Sequence, residues 1–264
     1  MDLQLENKIA LVTASTAGIG FATASLLARE GAYVVINGRS QHRVDDAVGR
    51  IRQEQEGARI RGVAADLGVK KGFELLSGAV PAVDILVNNL GIYEPKPFTE
   101  ITDEDWLRVF EVNVLSGARL SRYYLPKMLD KGWGRIVFIS SESGLQIPVE
   151  MIHYGVTKTA QIALARGLAE TTAGTSVTVN SVLPGPTRSE GVERFIQDLA
   201  ESRATDAAAV EEEFFRTVRP TSLLKRFSTP QEVAAMVVYL CSPLASATNG
   251  AALRVDGGVV RSIV

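Results

Sequence analysis

The sequence is poor in the residues that cross-link or metallate a fold. A single cysteine, Cys241, excludes an internal disulfide framework and fits a reducing compartment. Two histidines, His42 and His153, leave too few ligands for a multi-histidine metal site, and no metal is expected. Neither sign of charge dominates: 28 Lys and Arg stand against 30 Asp and Glu, a formal net charge of −2. Without a basic excess to neutralise phosphates, neither a nucleic acid nor an acidic membrane surface is an expected partner. No apolar run approaches the ~20 residues of a membrane-spanning helix, and Asp2 and Glu6 are out of place in a secretory signal. A cytoplasmic location is expected. No Gly-Lys pair occurs, which excludes a Walker-type nucleotide loop, and no Gly-x-Ser-x-Gly elbow occurs.

What is present is 264 residues, 46% apolar and 22% charged, enough chain to bury one large core. Seven short runs are apolar nearly throughout: Ile9–Val12, Tyr33–Ile36, Ile60–Ala64, Ile85–Val87, Arg135–Ile139, Val177–Val182 and Leu253–Val255. Strands of that kind are buried on both faces, as in a parallel sheet. The segments between them are long enough for crossover helices. Val44, Val48 and Ile51 repeat at helical spacing. A helix over Phe21–Glu30 is expected to stop at a left-handed Gly31. Thr229-Pro230-Gln231-Glu232, and more weakly Thr102 with Asp105, read as helix starts with capping boxes. The expected architecture is α/β: a single-domain, doubly wound parallel sheet of Rossmann type with helices on both faces. Residues 186–222 break the rhythm with two helical patterns and no strand, and they are expected to form a substrate lid.

The first strand runs into Thr13-Ala14-Ser15-Thr16-Ala17-Gly18-Ile19-Gly20 and then a helix. Small residues let backbone approach a pyrophosphate, and the helix N-terminus offers free N–H groups. Thr13, Ser15, Thr16, Gly18, Ile19 and Gly20 are the candidate phosphate-side residues. The spacing is not Gly-x-Gly-x-x-Gly, and a tight packing turn is the alternative. The second strand ends in Asn37-Gly38-Arg39, with no carboxylate to bond a ribose and an arginine suited to a 2′-phosphate. NADP(H) is therefore the expected cofactor, with NAD(H) open. Tyr154 and Lys158, at i and i+4, share a helix face, where a cation would favour a phenolate.

Together these residues resemble the short-chain dehydrogenase/reductase family of the Tyr-x-x-x-Lys type, from about Leu5 to Val260. Within it the chain most resembles 3-oxoacyl-[acyl-carrier-protein] reductase-like carbonyl reductases. The motifs are the Thr-x-x-x-x-Gly-x-Gly turn, Asp66-Leu67, Asn88-Asn89-Leu90-Gly91, Asn113, Ser141, Tyr154 with Lys158, and Pro184-Gly185. The resemblance implies that Tyr154 exchanges a proton with the substrate oxygen and that Ser141 hydrogen-bonds that oxygen, the spacing selecting it over Ser140. It implies that Lys158 holds the nicotinamide ribose and depresses the tyrosine pKa, and that Asn113 holds a water near Lys158. Asp66 and Leu67 would border the adenine, Asn89 and Gly91 the cleft, and Pro184, Gly185 and Thr187 the nicotinamide end. Homotetramers, or else dimers, are implied, and Val237, Val238, Val259 and Val260 are compatible with such contacts.

The chain departs from the family at Ala14, where an ordinary negative φ is expected, and at Leu90, expected to narrow the cleft. His153 is expected in a pocket wall or an interface, and Cys241 in the core. Leu145, Ile147, Pro148, Val149, Phe195, Phe214 and Phe215 suggest an apolar pocket. The expected activity is hydride transfer from NADPH to a ketone of 3-oxoacyl or ketoester type, a small-molecule substrate, with Tyr154 as proton donor. The alternatives are a sugar, polyol or hydroxysteroid dehydrogenase, and a dinucleotide-binding sensor with little turnover. No basic patch for an acyl-carrier protein is evident: Arg119, Arg122 and Lys127 read as a solvated helix face.

Overall fold

The strands form where the β-branched runs lie, and they assemble into one sheet. They are β1 (Ile9–Val12), β2 (Tyr33–Gly38), β3 (Ile60–Ala64), β4 (Ile85–Asn88), β5 (Gly134–Ile139), β6 (Val177–Pro184) and β7 (Ala252–Val255). The computed structural model describes residues 2–203 and 205–263, with only the backbone of Phe195. All pairings are parallel, in the order β3-β2-β1-β4-β5-β6-β7. The chain reverses its direction of travel across the sheet between β1 and β4. In an open α/β sheet that switch point is where a ligand crevice opens at the strands' C-terminal ends.

Helices α1 (Gly18–Arg29), α2 (Gln41–Glu54), α3 (Lys70–Ala79), α4 (Asp103–Phe110), α5 (Ser116–Lys131), α6 (Ile152–Glu170), α7 (Glu190–Ser202), α8 (Ala207–Thr217) and α9 (Pro230–Cys241) fill the connections. Side chains alternate across each strand and divide the core in two. Ala10, Val12, Val137 and Ile139 pack with Leu27, Ile51 and Val237 from α1, α2 and α9. Leu11, Ile136 and Phe138 pack on the opposite face with Leu76, Leu120 and Ala165 from α3, α5 and α6. β4, β5 and β6 are buried at every position, whereas the edge strands β3 and β7 are partly exposed.

The expected punctuation is present. Gly31 has φ +84° just beyond α1. Both capping boxes close: Thr229 with Glu232 at α9, and Thr102 with Asp105 at α4. Cys241 is fully buried, and burial pushes its thiol up to about 12. Val237, Val238 and Val259 are fully buried within the chain. They complete its own core and are not free for contacts between copies. Exposed apolar side chains are spread over the surface, and α4, α6 and the α4–α5 junction carry four of them, Leu107, Phe110, Leu115 and Val156.

Two local features position the site. Between α4 and α5 the helix widens into one π turn, Glu111–Leu115, which carries Asn113. Such a turn re-aims a side chain without breaking the helix. After β6, α7 and α8 pair over a small core of Ile196, Ala200, Val210, Phe215 and Phe227. The base of this helical pair is closed by Thr187 and Ser228, whose hydroxyls meet at 3.1 Å. Among the described residues no helix is long and apolar enough to cross a membrane, and no cluster of His, Cys, Asp or Glu could hold a metal.

Candidate active site

The β1–α1 turn is stitched from below. Thr13 Oγ1 accepts from the N–H groups of Asn89 and Leu90, at 2.8 and 3.0 Å, and donates to the Val87 carbonyl. Ser15 Oγ donates to the Val12 carbonyl at 2.7 Å. Both side chains are buried and engaged inward, so they shape the turn and leave its upper surface to backbone. Asn89 Nδ2 donates to the carbonyls of Thr13 and Ala14, each at 3.0 Å. Asn37 ties the turn to β3: its Oδ1 accepts from Ala14 N, and its Nδ2 donates to the Val63 and Ala65 carbonyls. The sequence marked Asn89 but not Asn37, whose partners lie 23 to 28 residues away along the chain.

Ala14 contradicts its expected backbone. Its φ is +48°, in the left-handed region. The Asn37 and Asn89 amides hold the peptide groups on either side of it, and the methyl group is carried in at a steric cost. Leu90 also differs from expectation: its side chain packs onto the α3/α5/α6 core rather than narrowing the cleft. Gly18 has φ +56°, and a Cβ on Gly20 would stand 2.5 Å from Asn89 Nδ2. Thr16 lies over Gly38, and Arg39 follows, exposed. Arg39 makes no ion pair among the described residues. Asp66, exposed, accepts from Gly68 N at 3.0 Å, while Leu67 is buried in the core.

The strand ends then bring Ser141 from β5, Gly185 from β6 and Gly91 from β4 around the N-terminal half of α6. A Cβ on Gly91 would sit 3.3 Å from Lys158 Nζ and 3.7 Å from Asn113 Oδ1. Lys158 is buried; its Nζ donates to the Ile139 carbonyl at 2.9 Å and to Gln161 Oε1 at 3.0 Å. Burial pushes its pKa down to about 7. Tyr154 lies one turn earlier, its ring centroid 5.6 Å from that nitrogen. Burial pushes the phenol's pKa up, while the hydrogen bond from Ser141 pulls it down and nearby Glu142 opposes that pull. Desolvation acts against the charged form of both groups, the phenolate and the ammonium.

The two serines have different partners. Ser140 Oγ is spent on the Lys158 carbonyl at 2.8 Å. Ser141 faces the cavity beside Tyr154 and donates to Glu142 Oε2 at 2.5 Å. Asn113 is held by protein partners on several sides. Its amide bonds both backbone groups of Ile92 and the Thr157 hydroxyl, and its carbonyl accepts from Gln161 Nε2 at 2.6 Å. Gln161, which sequence reasoning missed, thus bridges the Asn113 carbonyl and Lys158. Its only signal is a polar residue one turn after Lys158 on the buried face of α6.

Above Tyr154 and Ser141 opens a cavity of about 590 Å³. Tyr93, Met151, Val192, Ile196, Leu199, Val210, Phe214 and Phe227 are apolar and aromatic residues of its wall. Of the expected pocket residues, Phe214 lines it and Phe215 packs in the helical pair. Leu145, Ile147 and Val149 are exposed outside it, and the side chain of Phe195 lies outside the described residues. His153 is not in the wall: it is buried against Trp106 of α4, with ring centroids 6.0 Å apart, and burial lowers its pKa. One corner is charged. Buried Glu142 meets Arg219 Nε at 3.1 Å, and Arg219 reaches Glu150 at 3.2 Å.

The turn and cleft fit a nicotinamide dinucleotide. Ala17 gives α1 no side-chain cap, so first-turn N–H groups remain for a pyrophosphate. Gly18, Gly20 and Gly91 keep the cradle free of side chains, and Lys158 points one buried N–H group toward Gly91.

Comparison with known proteins agrees with this geometry. A family model described as enoyl-(acyl carrier protein) reductase matches residues 13–260. The chain is 48% identical to the uncharacterized oxidoreductase YvaG of Bacillus subtilis, with both chains covered in full. It is 37% identical to the 3-oxoacyl-[acyl-carrier-protein] reductase FabG of Aquifex aeolicus, over 98% of this chain and 100% of that one. Among solved structures, L-sorbose reductase from Gluconobacter frateurii, complexed with NADPH and L-sorbose, superposes with a TM-score of 0.93 at 29% identity, covering 100% of both chains.

Proposed function

The chain belongs to the short-chain dehydrogenase/reductase family and is an NAD(P)(H)-dependent oxidoreductase, and from that premise we propose that it reduces an uncharged ketone with NADPH. The observation that carries this reading is the placement of Tyr154 and Ser141 at the floor of a largely apolar cavity. Its volume suits a ketoester or short 3-oxoacyl group. The dinucleotide supplies the hydride. Tyr154 Oη gives its proton to the carbonyl oxygen as negative charge develops there, and Ser141 Oγ donates a hydrogen bond to the same oxygen. The Lys158 ammonium stabilises the phenolate left behind. Asn113, held by Ile92 and Thr157, fixes the wall of that cleft. Residues 186–222 act as the lid, since α7 and α8 supply the cavity's outer wall.

The preference for NADPH rests on Arg39, an unpaired guanidinium at the end of β2 where no carboxylate stands. Thr13, Ser15, Thr16, Gly18, Ile19, Gly20, Asp66, Leu67, Asn89, Pro184, Gly185 and Thr187 frame the remaining dinucleotide cleft. A sugar or polyol substrate is the second reading, favoured by the charged Glu142–Arg219–Glu150 corner and by the likeness to L-sorbose reductase. Leu107, Phe110, Leu115 and Val156 give a homotetramer or dimer its apolar contact, which light scattering would size. The substrate test is oxidation of NADPH against a 3-oxoacyl thioester, an aryl ketoester, a diketone and a keto sugar. Fastest turnover of the ketoester or thioester supports the first reading; the keto sugar ahead of both replaces it with the second.

A further inference from the structure

Gln161 has no place in the roles given above, yet it touches two of the groups that have one. Its Oε1 accepts from Lys158 Nζ at 3.0 Å, and its Nε2 donates to the Asn113 carbonyl at 2.6 Å. The side chain is 1% exposed, and both of its polar atoms are satisfied. Among the described residues Lys158 has one other acceptor, the Ile139 carbonyl, so Gln161 supplies one of the two oxygens that hold this buried ammonium. Asn113 lies in the π turn, so through its carbonyl Gln161 ties that turn to α6.

We propose that Gln161 is a positioning residue that locks the Lys158 ammonium to the π turn, doing with a fixed amide what a mobile water would otherwise do. The proposal rests on the reading of Lys158 as the group that supports the Tyr154 phenolate. An amide oxygen fixed to a buried ammonium favours its charged form. It also fixes direction: with two N–H groups anchored at Ile139 and Gln161, the third is left for the cleft beside Gly91. Unlike a water, the amide does not readily pass a proton on, so Lys158 is held as a standing charge. Tyr154, on the same helix, is the titratable neighbour of Lys158; Glu142 after β5, Tyr93 after β4 and Arg219 beyond α8 act in turn on Tyr154, while burial alone shifts Lys158.

The test is direct titration of the lysine in the cofactor-free protein. Lysine 13Cε shifts are followed against pH by NMR, with the Lys158 signal assigned by its loss in Lys158→Arg. In Gln161→Leu the Lys158 midpoint falls by about one pH unit, a tenfold change in protonation. In Gln161→Glu, which keeps the acceptor, it stays at or above the wild-type value. The acid-to-base transition in NADPH affinity, read by tryptophan quenching, shifts in the same direction. Gln161→Met repeats the measurement if the leucine variant does not fold. A midpoint unchanged within about 0.2 units in both apolar variants overturns the proposal. So does an equal fall in Gln161→Glu. Turnover by Tyr154→Phe is measured alongside: if that variant stays active the catalytic reading fails, whatever the lysine titration shows.

Discussion

Lys158 Nζ lies 5.6 Å from the Tyr154 ring centroid, one turn further along the same helix; Lys158 is buried and Tyr154 is half-buried at the cavity floor. Burial raises the pKa of one and lowers that of the other, so each resists the charge that would stabilise its neighbour. Such a pair is held for chemistry rather than for stability.

This has a measurable cost. Burial pushes the Lys158 pKa down to about 7 in the folded chain, against about 10.4 in an unfolded one. Below about pH 7 the full penalty applies. It shrinks as pH rises toward 10, because the unfolded chain there gives up its extra proton. Lys158→Met therefore stabilises the cofactor-free protein at pH 7, by about 1–3 kcal/mol after the lost hydrogen bonds are set against the desolvation. The gain narrows toward pH 10, and urea titrations at both pH values check it.

Ala14 sits at φ +48°. Ala14→Gly removes the steric cost while adding freedom to the unfolded chain, for a net stabilisation of about 0.5–1 kcal/mol. The melting temperature rises and NADPH affinity is kept or improved, because the Asn37 and Asn89 clamps act on backbone and survive the change.

Arg39→Ala weakens NADPH binding at least about tenfold and leaves NADH within about twofold, since a 2′-phosphate is the only feature that tells the two apart. Paired fluorescence titrations read the ratio. Equal losses for both dinucleotides would place the 2′-phosphate elsewhere.

Glu142→Ala leaves Arg219 without its buried partner, with side-chain exposures of 6% and 11% for the pair. Breaking a buried pair costs about 3–5 kcal/mol. The shortfall is eased here because Arg219 retains Glu150. Denaturant unfolding gives the loss. The variant also frees the Ser141 hydroxyl from the carboxylate that now holds it.

Much of the fold was legible because it rests on short-range patterns. Apolar runs set all seven strands to within two residues at their ends, and the capping boxes at Thr102 and Thr229 set two helix starts. Tyr154 and Lys158 were legible for the same reason, being four residues apart. Asn37, Glu142, Gln161 and Arg219 were not. Their roles come from partners tens of residues away, as when Arg219 reaches back 77 residues to Glu142. The pocket wall was misjudged at Leu145, Ile147 and Val149 because apolarity does not say which way a loop residue points. Ala14 was misjudged because local preference yielded to a turn fixed from outside it.

The central claim is that Tyr154 supplies the proton in an NADPH-dependent carbonyl reduction. The most direct measurement compares wild type with Tyr154→Phe on the best ketone, following loss of reduced-nicotinamide absorbance, with NADPH affinity titrated separately. The account predicts a fall in kcat of about 10²–10⁴-fold, with NADPH affinity changed less than about threefold. Turnover by the phenylalanine variant within a few-fold of wild type would contradict it.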